Sequence, residues 1–188
     1  MPPVRRGGHA RTPLGELVTW SQAEGERGTR WREAIERGGV LVRSVLLEVS
    51  TADRPTRLEL TTRAGLLTLH PEPDQTAMHG NVVAADGVRH LAFPWSAEHE
   101  LLVLSSPASA TIAVRRLDRR VIVGAVTVVD MLRIDDDLEP RPVRWSVERM
   151  AQHGWHLRDT ESDEERRLTV EDDGRPALHD EVSWPLEA

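Results

Sequence analysis

The chain has no cysteine, no lysine and no tyrosine, and only one phenylalanine. Without cysteine there is no thiol nucleophile, no disulfide and no thiolate metal site. All 24 basic residues are arginine. That excludes a Walker A phosphate loop, a Schiff-base lysine and a lysine general base. Without tyrosine there is no phenolic acid or base. An enzyme built on this sequence would work with His, Asp, Glu, Ser, Thr and Arg. Apolar runs fall short of the roughly 18 residues needed for a membrane span, and none is expected. Net charge is −7, which disfavours a nucleic-acid backbone as partner. The opening MPPVRRGGHARTP lacks the apolar stretch of an export signal. Residues 1–13 are expected to be a disordered lead, residues 14–188 one domain, and the location cytoplasmic.

What is present is a series of short alternating segments. VRSVLLEVS places Val45, Leu47 and Val49 on one face. TRLELTT does the same with Leu58 and Leu60, and LLTLH with Leu67 and Leu69. Period-two patterns between Gly, Pro and Asp indicate half-buried antiparallel strands. NVVAADGVRHLAF reads as a hairpin turning at Asp86-Gly87. HELLVLS and ASATIAVRRL read as two further strands separated by Pro107. RRVIVGAVTVVDMLRI is aliphatic on both faces, so it predicts either one strand covered on both sides and bent or bulged at Gly124, or two strands. PVRWSVERM, GWHLRD and a hairpin around Asp173-Gly174 complete the set. The expectation is an all-β antiparallel barrel or sandwich of about ten strands. One short helix is expected over 29–37, where Thr29 would cap it and Trp31, Ala34 and Ile35 share a face.

Few residues suggest chemistry. His70, Glu72, Asp74 and His79 bracket a loop and could in principle hold a divalent ion. Their spacing matches no metal motif, His70 sits on the polar phase of its strand, and the two prolines stiffen a loop. The preferred reading is two strands and a polar connection, with no metal and no cofactor. His99-Glu100 begins like a zincin motif but has Val103 where the second histidine belongs. Ser105, Ser106 and Ser109 lie around a turn without a nucleophile elbow. Asp135-Asp136-Asp137 reads as a solvated connection, because adjacent loop residues point apart. Six tryptophans against one phenylalanine are unusual. Trp95, Trp145 and Trp155 lie in or beside strands, where they serve as core or line a cavity. Of Arg115 and Arg116, adjacent on a strand, one must face inward. It would be an ion pair or a clamp for an anionic head group.

Several segments, in order, resemble a protein family named for glycolipid binding. PASATIAVRRL is similar to a characteristic strand of that family ending in Arg-Arg-Leu. VRSVLLEVS with RPTRLELTT resembles its paired early strands, EPRPVRWSVERM its late strand, and LTVEDDGRPALHD with SWPLE its closing hairpin and tail. The resemblance covers roughly residues 42–187. It implies an all-β, barrel-like domain with an interior groove and no established catalysis. It carries Arg115 and Arg116 over only as residues of the matching motif. The expected function is therefore non-enzymatic binding of a small apolar, lipid-like or glycolipid-like molecule, by a monomer or homodimer. Trp95, Trp145 and Trp155 would line the site and Arg115 or Arg116 would meet the head group. Two alternatives stand beside it. One is a small-barrel enzyme using His70, Glu72 and His79. The other is a structural or dimerisation module without ligand.

Overall fold

Alternation along the chain builds strands almost throughout, and a computed structural model describes them over residues 4–12 and 14–186, without the side chains of His179 and Trp184. In chain order the first eight are β1 (Val4–Arg11), β2 (Leu17–Gly25), β3 (Gly28–Arg37), β4 (Val40–Val49), β5 (Pro55–Thr62), β6 (Gly65–Pro71), β7 (Ala77–Ala84) and β8 (Gly87–Pro94). There follow β9 (Glu100–Val103), α1 (Pro107–Asp118), β10 (Val126–Ile134), β11 (Pro140–Ala151), β12 (Gly154–Asp159), β13 (Glu165–Thr169) and β14 (His179–Pro185). The fold is all-β with one short helix, in two sheets.

The chain divides into two compact units, where the sequence suggests one domain. Unit 1 comprises Met1–Ala97, Asp136–Glu139 and Leu178–Ala188. Its nine-stranded curled sheet runs β14-β1-β2-β3-β4-β5-β6-β7-β8, with neighbours antiparallel. Period two puts Val18 and Trp20, Trp31 and Ile35, Val45 and Leu47, Leu58 and Leu60, and Leu67 and Leu69 on one buried face. Trp20 and Trp31 pack with ring centroids 5.9 Å apart. Unit 2 comprises Glu98–Asp135 and Pro140–Ala177. Its sheet runs β13-β12-β11-β10-β9, antiparallel except for the β9–β10 pair. Val114 and Leu117 of α1 cluster with Val129, Met131, Trp145, Val147 and Trp155 of the sheet.

Four expectations are corrected. Residues 4–11 of the expected disordered lead form β1, hydrogen-bonded to both β2 and β14, while residues 1–3 and 13 lie outside the described residues. Residues 29–37 are strand, not helix. Trp31, Glu33 and Ile35 alternate inward, and Gly38-Gly39, both with positive φ, close a two-residue hairpin loop. The helix is instead PASATIAVRRLD. Ser106 caps it, accepting a hydrogen bond from the Ser109 amide, and Pro107 occupies its first turn. Finally, the aliphatic segment Val121–Leu132 is not one doubly covered strand. Only 126–134 is strand, and its outward Val126 and Val128 are exposed.

Candidate functional site

The β3–β4 hairpin brings together the features that could recognise a ligand. Its two glycines reverse the chain at Arg37 and Val40. The register then shifts between Ile35 and Glu36, so that Ile35 pairs with Arg43 and Glu36 with Leu41. Such a bulge re-aims side chains and often lies beside a site. Beyond it, Arg43 falls in phase with Val45, Leu47 and Val49, the apolar face of β4. A guanidinium is thereby carried into the buried side of the sheet.

A guanidinium that deep requires an anion, because desolvation of an unpaired charge is costly. Asp136 supplies it. Arg43 donates from Nε at 2.8 Å and from Nη2 at 2.5 Å, both to Asp136 Oδ1. The cross-strand neighbour of Arg43 is Thr62 of β5, whose hydroxyl donates to the Asp136 carbonyl at 2.8 Å. The pair is lopsided. The Arg43 side chain is 1% exposed and the Asp136 side chain 52%. The buried partner is the cation, and its anion stands half in water.

These groups border a cavity of about 500 Å³, within the roughly 300–1,000 Å³ of small-molecule sites. Its lining includes three cations, Arg37, Arg43 and Arg63. It also includes the aliphatic Val40, Leu41 and Val42, with Val40 at 64% and Leu41 at 59% exposure. Arg37 is held by Glu16 at 2.5 Å. Glu16 is wholly buried, and its Oε2 has no hydrogen-bond partner among the described residues. The exposed Arg63 makes no ion pair among the described residues.

The residues favoured by sequence lie elsewhere. Trp145 and Trp155 are fully buried in the hydrophobic cluster of unit 2, each with a guanidinium over its ring, from Arg166 and Arg149 respectively. Their indole N–H groups have no hydrogen-bond partner among the described residues. Trp95 is buried in unit 1, just after β8, and none of the three borders the cavity. Arg115 and Arg116 sit on α1, so the strand argument for their facing opposite ways does not apply. Arg115 Nε donates to the Asp173 carbonyl at 2.9 Å.

Arg116 Nε lies 2.7 Å from Glu100 Oε2, and Arg120 Nη2 lies 2.5 Å from Oε1 of the same carboxylate. Burial pushes Glu100 up to about 7, although both arginines pull the other way. His70 and His79 are cross-strand partners on β6 and β7, with ring centroids 6.4 Å apart. His79 Nε2 meets Glu72 Oε1 at 2.8 Å. The described residues contain no group of three or more His, Asp or Glu placed to hold a metal ion.

The central cation escaped sequence reasoning, but its signal was present. Arg43 is two residues before Val45 on a strict period-two face, so it shares the buried phase. Asp136 carried no local signal, because its partner is 93 residues away.

Comparison with known proteins informs the fold alone. No family model and no curated protein matches the chain. A solved structure that does match is a DUF1089 family protein from Pseudomonas aeruginosa, 18% identical, with a TM-score of 0.56, covering 91% of this chain and 86% of that one. Among the described residues, no helix is long and apolar enough to cross a membrane.

Proposed function

We propose that the chain is a non-enzymatic binding protein for a small amphiphilic molecule, lipid-like or glycolipid-like, taken up at the cavity of unit 1. The observation that carries this reading is the mixed lining of that cavity, aliphatic and cationic together. Exposed aliphatic side chains, Val40 and Leu41, line it together with arginines and hydroxyls. An apolar tail gains about 25 cal/mol per Å² buried against the first. A polar head finds donors on the second.

The site differs from the one expected from sequence. Tryptophans contribute core packing, and the head group is received by Arg43 and its neighbours rather than by Arg115 or Arg116. The test is calorimetric titration with decyl phosphate below its micellar range, using wild type and Leu41→Asp. Leu41 is exposed, so stability should change by no more than about 0.5 kcal/mol. Binding that weakens at least about tenfold, or roughly 1.4 kcal/mol, supports the reading. Equal binding by the two proteins overturns it.

A further inference from the structure

The lopsided Arg43–Asp136 pair has a consequence for what the cavity recognises. Buried ion pairs ordinarily shield both partners, since stripping water from either is costly. Here the cation is enclosed and the anion keeps one side in solvent and one on the cavity. Removing Asp136 from Arg43 thus re-solvates a carboxylate that is already half-solvated. It also leaves Nε and Nη2 of a buried guanidinium without that carboxylate, a place that another anion can take. Two of the three guanidinium nitrogens, Nε and Nη2, converge on one oxygen, Oδ1. A single terminal oxygen of a phosphate, sulfate or carboxylate could occupy that place.

The rest of the loop does not need to move with the side chain. Leu138 is wholly buried, and Thr62 holds the Asp136 backbone carbonyl rather than its carboxylate. Glu139 pairs with Arg89 of β8. These contacts hold the backbone of segment 136–139 and leave the half-exposed Asp136 side chain as the part that has to rotate. Arg63 and Arg37 at the rim give the vacated place a positive surrounding.

We infer that Asp136 is an internal stand-in for an anionic group of the ligand, and that binding proceeds by exchange of that group for the Asp136 carboxylate on Arg43. The inference rests on the cavity being a ligand site and adds that the head group is an anion, presenting a phosphate-like oxygen. An internal competitor that holds the cation nine-tenths of the time lowers apparent affinity about tenfold. Deleting the competitor should therefore tighten anion binding rather than abolish it.

The experiment titrates inorganic phosphate, at ionic strength held constant with sodium chloride, into wild type, Asp136→Asn and the double variant Arg43→Met/Asp136→Asn. Binding tighter by about tenfold in Asp136→Asn, and lost in the double variant, is the expected result. Equal binding to wild type and Asp136→Asn overturns the inference, as does binding that survives in the double variant. If Asp136→Asn does not fold in chloride alone, its refolding yield is measured with and without phosphate. Recovery with phosphate supports exchange, and no recovery overturns it. Decyl phosphate separates this inference from the amphiphile reading. If Asp136→Asn tightens phosphate but decyl phosphate binds no better than phosphate, exchange stands and the amphiphile reading fails. If decyl phosphate binds better than phosphate, yet equally to wild type and Asp136→Asn, the amphiphile reading stands and exchange fails.

Discussion

Replacing Glu100 by glutamine should stabilise the protein in mild base, although Glu100 is clasped by two arginines. The carboxyl belongs to β9 and is buried against Arg116 of α1 and Arg120, just beyond that helix. Burial dominates and raises it from 4.5 to about 7. The folded state therefore holds the proton more tightly than the unfolded chain. This favours folding fully below about 4.5 and is lost as the pH rises through about 7. From 4.5 to about 7, at about 1.4 kcal/mol per pH unit, the loss amounts to roughly 3 kcal/mol. Glutamine copies the neutral acid and does not titrate. In urea unfolding, Glu100→Gln should match wild type near pH 4.5 and exceed it by roughly 3 kcal/mol near pH 8. Subtracting the two proteins at each pH cancels the carboxylates they share. If the variant is instead less stable than wild type at pH 8 by several kcal/mol, the two guanidiniums outweigh burial and the reasoning is wrong.

Three further outcomes follow from the same geometry. A Cβ on Gly8 would lie 2.7 Å from the Trp20 ring and 2.6 Å from the Val182 carbonyl, whereas one on Gly25 would meet nothing within 4 Å. Gly8→Ala should cost about 1–3 kcal/mol and Gly25→Ala no more than about 0.5 kcal/mol by thermal unfolding. Trp145→Ala should cost about 3–5 kcal/mol, as expected of a core tryptophan, and leave decyl phosphate affinity unchanged; a loss of affinity at equal stability would return Trp145 to the site. Arg63→Ser should leave stability unchanged and weaken phosphate binding more at low salt than at high salt, a screening test of a rim cation.

The strands of unit 1 were the most legible part of the sequence. From Val42 to Leu69 each segment alternates, and one buried face leaves little choice of register. The two errors of element type have a common cause. TRWREAIERGG carries both periods at once, since Trp31 and Ile35 fit a helix face and Trp31, Glu33 and Ile35 fit a strand face. Glycine decides it, with two-residue loops at 26–27 and 38–39 closing hairpins on either side. In PASATIAVRRLD the β-branched Thr111, Ile112 and Val114 suggest a strand. Ser106 followed by Pro107, however, is a helix start signal, not a break. The Gly7-Gly8 pair invites a disordered reading for the N-terminus, yet Gly8 is required because Trp20 packs against it.

The site was less legible for a physical reason. The candidate cation, Arg43, is distinguished by burial, and burial of one charge demands a second from elsewhere in the chain. The three consecutive aspartates illustrate this. Read locally they are interchangeable solvated acids. In the fold they diverge as adjacent loop residues must: Asp135 pairs with Arg133, Asp136 with Arg43, and Asp137 accepts the Glu139 amide. Period-two phase marks Arg43 as inward-facing, but only folding selects which of the three aspartates answers it. The tryptophans attract attention for another reason. Their number is unusual, yet Trp145 and Trp155 belong to an apolar cluster, where their size fills the core. An inward arginine on an apolar strand face is therefore a stronger pointer to a site than an abundance of aromatic residues. The arginine costs stability unless something compensates it, whereas buried aromatic surface is stabilising by itself.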